Sequence, residues 1–321
     1  MKMHVSDSPF QVLATSGSAR TGLLSLPRGV VQTPAFMPVG TQAAVKALDP
    51  SDLRGAGVEI VLANTYHLML RPGAGIIEQH GGVSHFMRWE GPVLTDSGGF
   101  QIFSLAAHRT LNESGVTFRS HLDGSAHHLT PERAIGLQHQ FGSDISMALD
   151  VCAGYDATEP EQLQAMELTH RWLPRNLLAF RSLQPECDGT RPLMFGIAQG
   201  GFDAARRAYS AQIIAESGCD GCAIGGLSVG EPKVVMAEML AASVAELPAD
   251  RPRYLMGVGS PEDLWNCVAA GVDLFDCVLP TRVARRGALY TAGGRVNITS
   301  ARYLTDNGPV DPDCDCYCCS T

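Results

Sequence analysis

The chain predicts an α/β fold, a (β/α)8 TIM barrel, and three observations carry that expectation. Short apolar runs ending in small or polar residues recur eight times along the 321 residues. Helix-like stretches separate many of them. Side chains able to do chemistry collect at the C-terminal ends of the runs. Runs without strict polar alternation suit strands buried on both faces of a parallel sheet. Strand and helix alternating eight times closes naturally into a barrel, whose active site forms at the strand C-termini.

The eight runs are residues 34–40, 58–64, 92–96, 144–150, 193–199, 221–226, 254–257 and 272–276. Helices are expected over 161–181, 204–217, 234–247 and 261–270. Two insertions break the rhythm. Residues 96–144 are too many for a simple crossover, and 116–124 reads as a strand turning at Asp123-Gly124 into a hairpin. A helix follows, with Thr130 as N-cap and Pro131 at its first position. The second insertion begins after Asp276 and ends in a cysteine cluster. The expected division is a barrel domain over 1–300 and a partial, cysteine-bearing segment over 301–321.

Composition bounds the function. At 45% hydrophobic and 18% charged residues the chain can bury one large core. No apolar run is long enough for a transmembrane helix, and the first 18 residues lack a secretory signal, so a cytoplasmic enzyme without membrane partners is expected. A net charge of −9 argues against indiscriminate nucleic-acid binding. A local basic patch at Arg282, Arg285 and Arg286 stands out against it. Of ten cysteines, Cys152, Cys187, Cys219, Cys222, Cys267 and Cys277 are scattered and read as ordinary thiols of a reducing compartment. Cys314, Cys316, Cys318 and Cys319 crowd the end.

The strand ends carry Asn64, Asp96, Asp150, Gln199, Gly226 and Asp276. A lone aspartate there is often a helix cap; six useful groups on one rim are harder to explain so. The motifs around them are Phe36-Met-Pro-Val-Gly-Thr41, Asn64-Thr-Tyr-His-Leu68, Asp96-Ser-Gly-Gly-Phe-Gln101, Phe195-Gly-Ile-Ala-Gln-Gly200, Ile224-Gly-Gly-Leu-Ser-Val-Gly-Glu231, Met256-Gly-Val-Gly259 and Phe275-Asp-Cys-Val-Leu-Pro-Thr-Arg282. This ordered set, spread over nearly the whole chain, resembles the signatures of tRNA-guanine transglycosylases.

Exchanging a base on ribose with retained configuration needs two carboxyl groups, one attacking the anomeric carbon and one moving a proton. The residues alone do not separate these roles. The resemblance implies Asp276 as nucleophile and Asp96 as general acid/base. It further implies that Asp150 binds guanine's donor edge, that Gln199 and the Gly226 backbone bind its carbonyl, and that Phe100 and Met256 sandwich the ring. Leu227 joins this pocket. Cys152 and Val229 resemble the bacterial choice, closing space that queuine would need and leaving room for 7-aminomethyl-7-deazaguanine. Val151 departs from the acidic residue of many bacterial members. Arg282, Arg285 and Arg286 would contact the phosphates of the RNA.

Cys314, Cys316 and Cys319 resemble the Cys-x-Cys-x-x-Cys half of the family's structural Zn2+ site, whose fourth ligand is a later histidine. No histidine follows the cluster here, so the site reads as incomplete and zinc binding as weak or substoichiometric. The family's C-terminal helix, which supports tRNA binding and a homodimer, would lie beyond Thr321. The partners implied are tRNA and a free 7-deazaguanine base, in queuosine biosynthesis on tRNAs whose anticodon begins G-U. Two alternatives stay open: a relative modifying another tRNA position or DNA, and an inactive or damaged paralogue or partner subunit.

Overall fold

A computed structural model describes residues 8–105, 109–184 and 190–320. Cys187, read above as an ordinary thiol, lies outside them. Three strands come first, β1 Phe10–Ser16, β2 Ala19–Leu26 and β3 Gly29–Thr33, paired antiparallel as a meander. The barrel strands follow: β4 Ala35–Gly40, β5 Val61–Ala63 and β6 Val93–Thr95. An inserted antiparallel sheet, β7 Arg109–Asn112, β8 Gly115–Arg119 and β9 Ala126–Leu129, interrupts them. The barrel resumes with β10 Ile145–Met147, β11 Leu193–Ala198, β12 Gly221–Ile224, β13 Arg253–Leu255 and β14 Leu274–Cys277. Its eight strands are all parallel and close as β4-β5-β6-β10-β11-β12-β13-β14. A hairpin, β15 Ala288–Thr291 and β16 Gly294–Asn297, leads to the cysteine cluster.

Every expected barrel run overlaps a strand, and all four expected helices form, over Glu159–Leu183, Ala204–Glu216, Lys233–Val244 and Pro261–Ala269. Alternation explains why the runs looked continuously apolar. Along β11, Leu193, Phe195 and Ile197 enter the barrel interior, where they meet Met37, Leu62, Leu94, Met147 and Leu274. Met194 and Ala198 face outward onto the helices with Leu173, Leu177 and Ile214. Both faces are therefore buried, as a helix-covered barrel requires. The helix Pro131–Gln140 begins as expected, with the Thr130 side chain accepting from the Arg133 N–H.

The inserted segment is a three-stranded sheet, one strand more than the expected hairpin. The N-terminal meander was not expected at all. It plugs the bottom of the barrel: Phe10, Leu24, Leu26 and Val31 join the interior core. Two ion pairs, the first fully buried and the second half-buried, fasten it to residues just before barrel strands, Arg20 to Asp273 at 2.6 Å and Arg28 to Asp144 at 2.8 Å. With the bottom closed, the opposite rim is the open end. No helix among the described residues is long and apolar enough to cross a membrane.

Candidate active site

The polar rim is an extension of the apolar interior. Asn64, Asp96, Gln199 and Asp276 each lie two residues beyond an interior side chain, Leu62, Leu94, Ile197 and Leu274 respectively. The two-residue period of a strand carries them onto the same inward face, at the mouth. Met256 stands in the same relation to Tyr254 and packs against the interior core.

Asp96 is buried and held by three donors. The Asn64 amide donates to Oδ2, and the Thr65 N–H donates to Oδ1 at 2.8 Å. The Gly98 N–H reaches Oδ1 at 3.2 Å. Burial outweighs these bonds and, with the nearby Asp276 charge, pushes its pKa up to about 6. Asp276 sits across the mouth on β14. Its Oδ1 accepts from the Tyr254 hydroxyl at 2.6 Å and from the Gly257 N–H at 2.8 Å. Burial raises the Asp276 pKa too. The Tyr254 hydroxyl is driven far up by its own burial and by Asp276, so it serves as a donor only.

Asp150 follows β10 and is reached from both sides. Ser97 Oγ donates to Oδ1 at 3.2 Å and Gln199 Nε2 to Oδ2 at 2.7 Å. Burial pushes it up to about 6 as well. Gln199 rests on the turn after β12: a Cβ at Gly226 would stand 2.5 Å from its Oε1, and Gly226 has φ +67°. Only glycine fits there, on both counts. Leu227 is buried next to it and Val229 half-buried, with Glu231 accepting the Val229 N–H at 2.9 Å. Cys152 is buried, and desolvation pushes its thiol up to about 12. It is a small apolar wall rather than a nucleophile. Phe100 stands 46% exposed on the helix that follows Asp96.

The chain holds other buried aspartates, and their partners tell the two kinds apart. Asp144 and Asp273 are paired with Arg28 and Arg20 at the closed end. Asp96, Asp150 and Asp276 have no cation within ion-pair distance among the described residues. Desolvated carboxylates left without a counter-ion are costly to fold and point to a site of chemistry.

Arg282, Arg285 and Arg286 all lie exposed on or just after the short helix Leu279–Ala284, directly beyond Asp276. The sulfurs of Cys314, Cys316 and Cys319 lie within 4.8 Å of one another. Three thiolates this close suit a tetrahedral zinc ion, whose sulfurs stand roughly 4 Å apart. Cys318, one residue away, stays outside that group.

Several participants escaped the sequence reading. Tyr254 counted there only as the start of a strand. Ser97 and Arg207 went unremarked. The Tyr66 hydroxyl meets His121 Nδ1 at 2.7 Å, tying the motif after β5 to the inserted sheet. Tyr66 and Ser97 sit inside the motifs and Tyr254 just before one, whereas Arg207 and His121 carried no advance signal.

The family model for queuine tRNA-ribosyltransferase matches residues 15–321. The chain belongs to that family. It is 53% identical over 305 residues to the queuine tRNA-ribosyltransferase of Herpetosiphon aurantiacus, covering 95% of this chain and 76% of the relative. The enzyme of the same name from Thioalkalivibrio sulfidiphilus is 52% identical over 311 residues, 97% of this chain and 82% of its own. That of Mesorhizobium japonicum is 52% identical over 309 residues, 96% and 80% of the two chains. Membership makes the chain a pentosyltransferase.

Proposed function

We propose that this chain exchanges the wobble guanine of tRNAs with G-U-N anticodons for a free 7-deazaguanine. The observation that carries the reading is the pair of cation-free carboxyl groups, buried Asp96 and half-buried Asp276, facing one mouth. Both hydrogen bonds to Asp276 fall on Oδ1, so Oδ2 is the oxygen that attacks the anomeric carbon and forms the ribosyl ester. Asp96, with a pKa of about 6, gives its proton to the departing guanine. It then takes one from the incoming base as that base displaces Asp276. Two inversions restore the configuration.

Asp150 accepts the two donors of the base edge, while Gln199 and the Gly226 N–H serve its carbonyl. Leu227 completes the pocket wall, and Phe100 and Met256 cover the ring faces. Cys152 and Val229 narrow the side pocket, which favours the 7-aminomethyl base over queuine and places the chain in queuosine biosynthesis. Arg282, Arg285 and Arg286 contact the backbone phosphates of the RNA. Zn2+ held by Cys314, Cys316 and Cys319 would order the segment beyond these arginines. The enzyme works on free tRNA and free base in the cytoplasm; association of two chains is a further expectation of the family.

The test is exchange of labelled guanine into tRNA, followed by a denaturing gel. Wild-type protein is expected to incorporate label and to leave a covalent RNA complex when a free base is supplied. Asp276→Asn is expected to lose both, with RNA affinity within about threefold of wild type, since the phosphate contacts remain. A covalent complex formed by Asp276→Asn removes Asp276 as the nucleophile.

A further inference from the structure

Arg207 is the largest buried charge that the proposed mechanism leaves unused. Its side chain is fully buried, yet it has no carboxylate partner among the described residues. Three main-chain carbonyls receive it instead. Nε donates to Gly201 O at 2.7 Å, Nη1 to Gly225 O at 2.6 Å and Nη2 to Gly226 O at 3.0 Å. Burying a cation whose direct partners are neutral dipoles is expensive; burial lowers its pKa to about 10, and the charge of Glu231 offsets only part of that. Arg207 still carries its charge at neutral pH.

The consequence lies in the peptide plane. In a trans peptide the C=O and N–H point in opposite directions. Holding Gly225 O from one side therefore aims the Gly226 N–H out on the other. Holding Gly226 O does the same for the Leu227 N–H. The Gly226 N–H indeed faces the Cys152 thiol, whose ionised form it favours. Cys152 is one wall of the base pocket described above. Glycine has more backbone freedom than any other residue and no side chain to anchor it, so this orientation has to be held from outside. One turn along the same helix, Ala204–Glu216, Ser210 Oγ accepts the Gln199 N–H at 3.0 Å. Two side chains of one helix thus brace both groups aimed at the carbonyl of the base.

We infer that Arg207 is a positioning residue for base recognition: its three-carbonyl clamp fixes the Gly225–Gly226 peptide so that the Gly226 N–H reads the acceptor oxygen of a guanine-type base. The inference rests on the pocket reading above. Lysine cannot substitute, because an ammonium cannot present three donors in a planar fork.

The experiment compares inhibition of the exchange reaction by free guanine and by 6-thioguanine. The second keeps the donor edge and the ring but offers a weaker acceptor. Wild-type protein should prefer guanine by about tenfold, the size of one good hydrogen bond. In Arg207→Lys and Arg207→Met guanine should weaken by about tenfold and 6-thioguanine by less than twofold, so the preference collapses. An amide-exchange measurement on the wild type covers the case in which neither variant folds. Gly226 should gain protection with saturating guanine and not with 6-thioguanine. Equal weakening of both bases in folded variants, or no gain of protection at Gly226, overturns the role of Arg207. A wild type that does not distinguish the two bases overturns the pocket reading instead.

Discussion

At the scale of single residues, the site is defined by carboxyl groups that folding has made harder to ionise. Asp150 shows the consequence in a measurable form. Its pKa stands at about 6 in the fold against an ordinary 3.8, so the folded chain binds more protons than the unfolded one between those values. Stability therefore falls as pH rises through that window, and the whole loss is present above pH 6. Asp150→Asn should relieve it, because both neighbours can adapt: the Ser97 hydroxyl can rotate and the Gln199 amide can turn over. The variant should be more stable than wild type by about 3 kcal/mol at pH 8, from roughly 1.4 kcal/mol per pKa unit, and unchanged near pH 3. Urea unfolding at the two pH values measures this. A gain at low pH, or none at high pH, contradicts the assignment. The same variant should lose base exchange almost entirely, since an amide cannot accept both donors of the base edge. Asp96→Asn is a poorer probe, for Asn64, Thr65 and Gly98 all donate to that group and an amide nitrogen would face a donor.

At the scale of elements, the barrel strands were legible because each is bounded by polar or small residues and because the inward column continues past its apolar part into a functional group. Leu94 to Asp96 and Ile197 to Gln199 are such columns. Asp150 breaks the rule: Met147 points inward, whereas Leu149 packs on the outer helices, so the parity slips after β10. Its role came through the motif resemblance and not through periodicity. The N-terminal meander was missed although β2 alternates cleanly, with Arg20, Gly22, Leu24 and Leu26 all buried. A buried arginine within an alternating run looks polar-out to a sequence reader, and only the distant Asp273 explains it. Arg20 binds that aspartate through Nε at 2.8 Å and Nη2 at 2.6 Å, and two further carbonyls besides. Arg20→Ala should cost about 3 kcal/mol, the range for stranding a buried partner charge. Guanine binding should hardly change, because the pair lies at the closed end of the barrel. Denaturant midpoints set beside inhibition constants separate the two; a base-binding defect as large as the stability loss would mean the ends are coupled.

At the scale of the molecule, stability and chemistry occupy opposite ends of one barrel, and a third region stands apart from both. The segment from Ala301 to Ser320 has no buried residue. It is tied back by few bonds, among them the Ala292 N–H to Asp311 Oδ2 at 3.0 Å. A segment with no core of its own depends on a metal for its order. Three thiolates, Cys314, Cys316 and Cys319, are what the described residues offer, one fewer than a closed structural site. Zinc should therefore bind, but be stripped by a chelator far more readily than from a four-ligand site. Metal content before and after dialysis against chelator reads this directly. Removal should increase amide exchange from residue 301 onward and leave the main thermal transition within about 2 °C, since the three apolar cores all lie before that segment. RNA affinity should fall, because the arginines after Asp276 lead into this region, while inhibition by free guanine should stay as it was. A main transition that collapses on chelation would show that the metal holds the barrel itself together. Zinc that survives exhaustive dialysis would show that a fourth ligand closes the site.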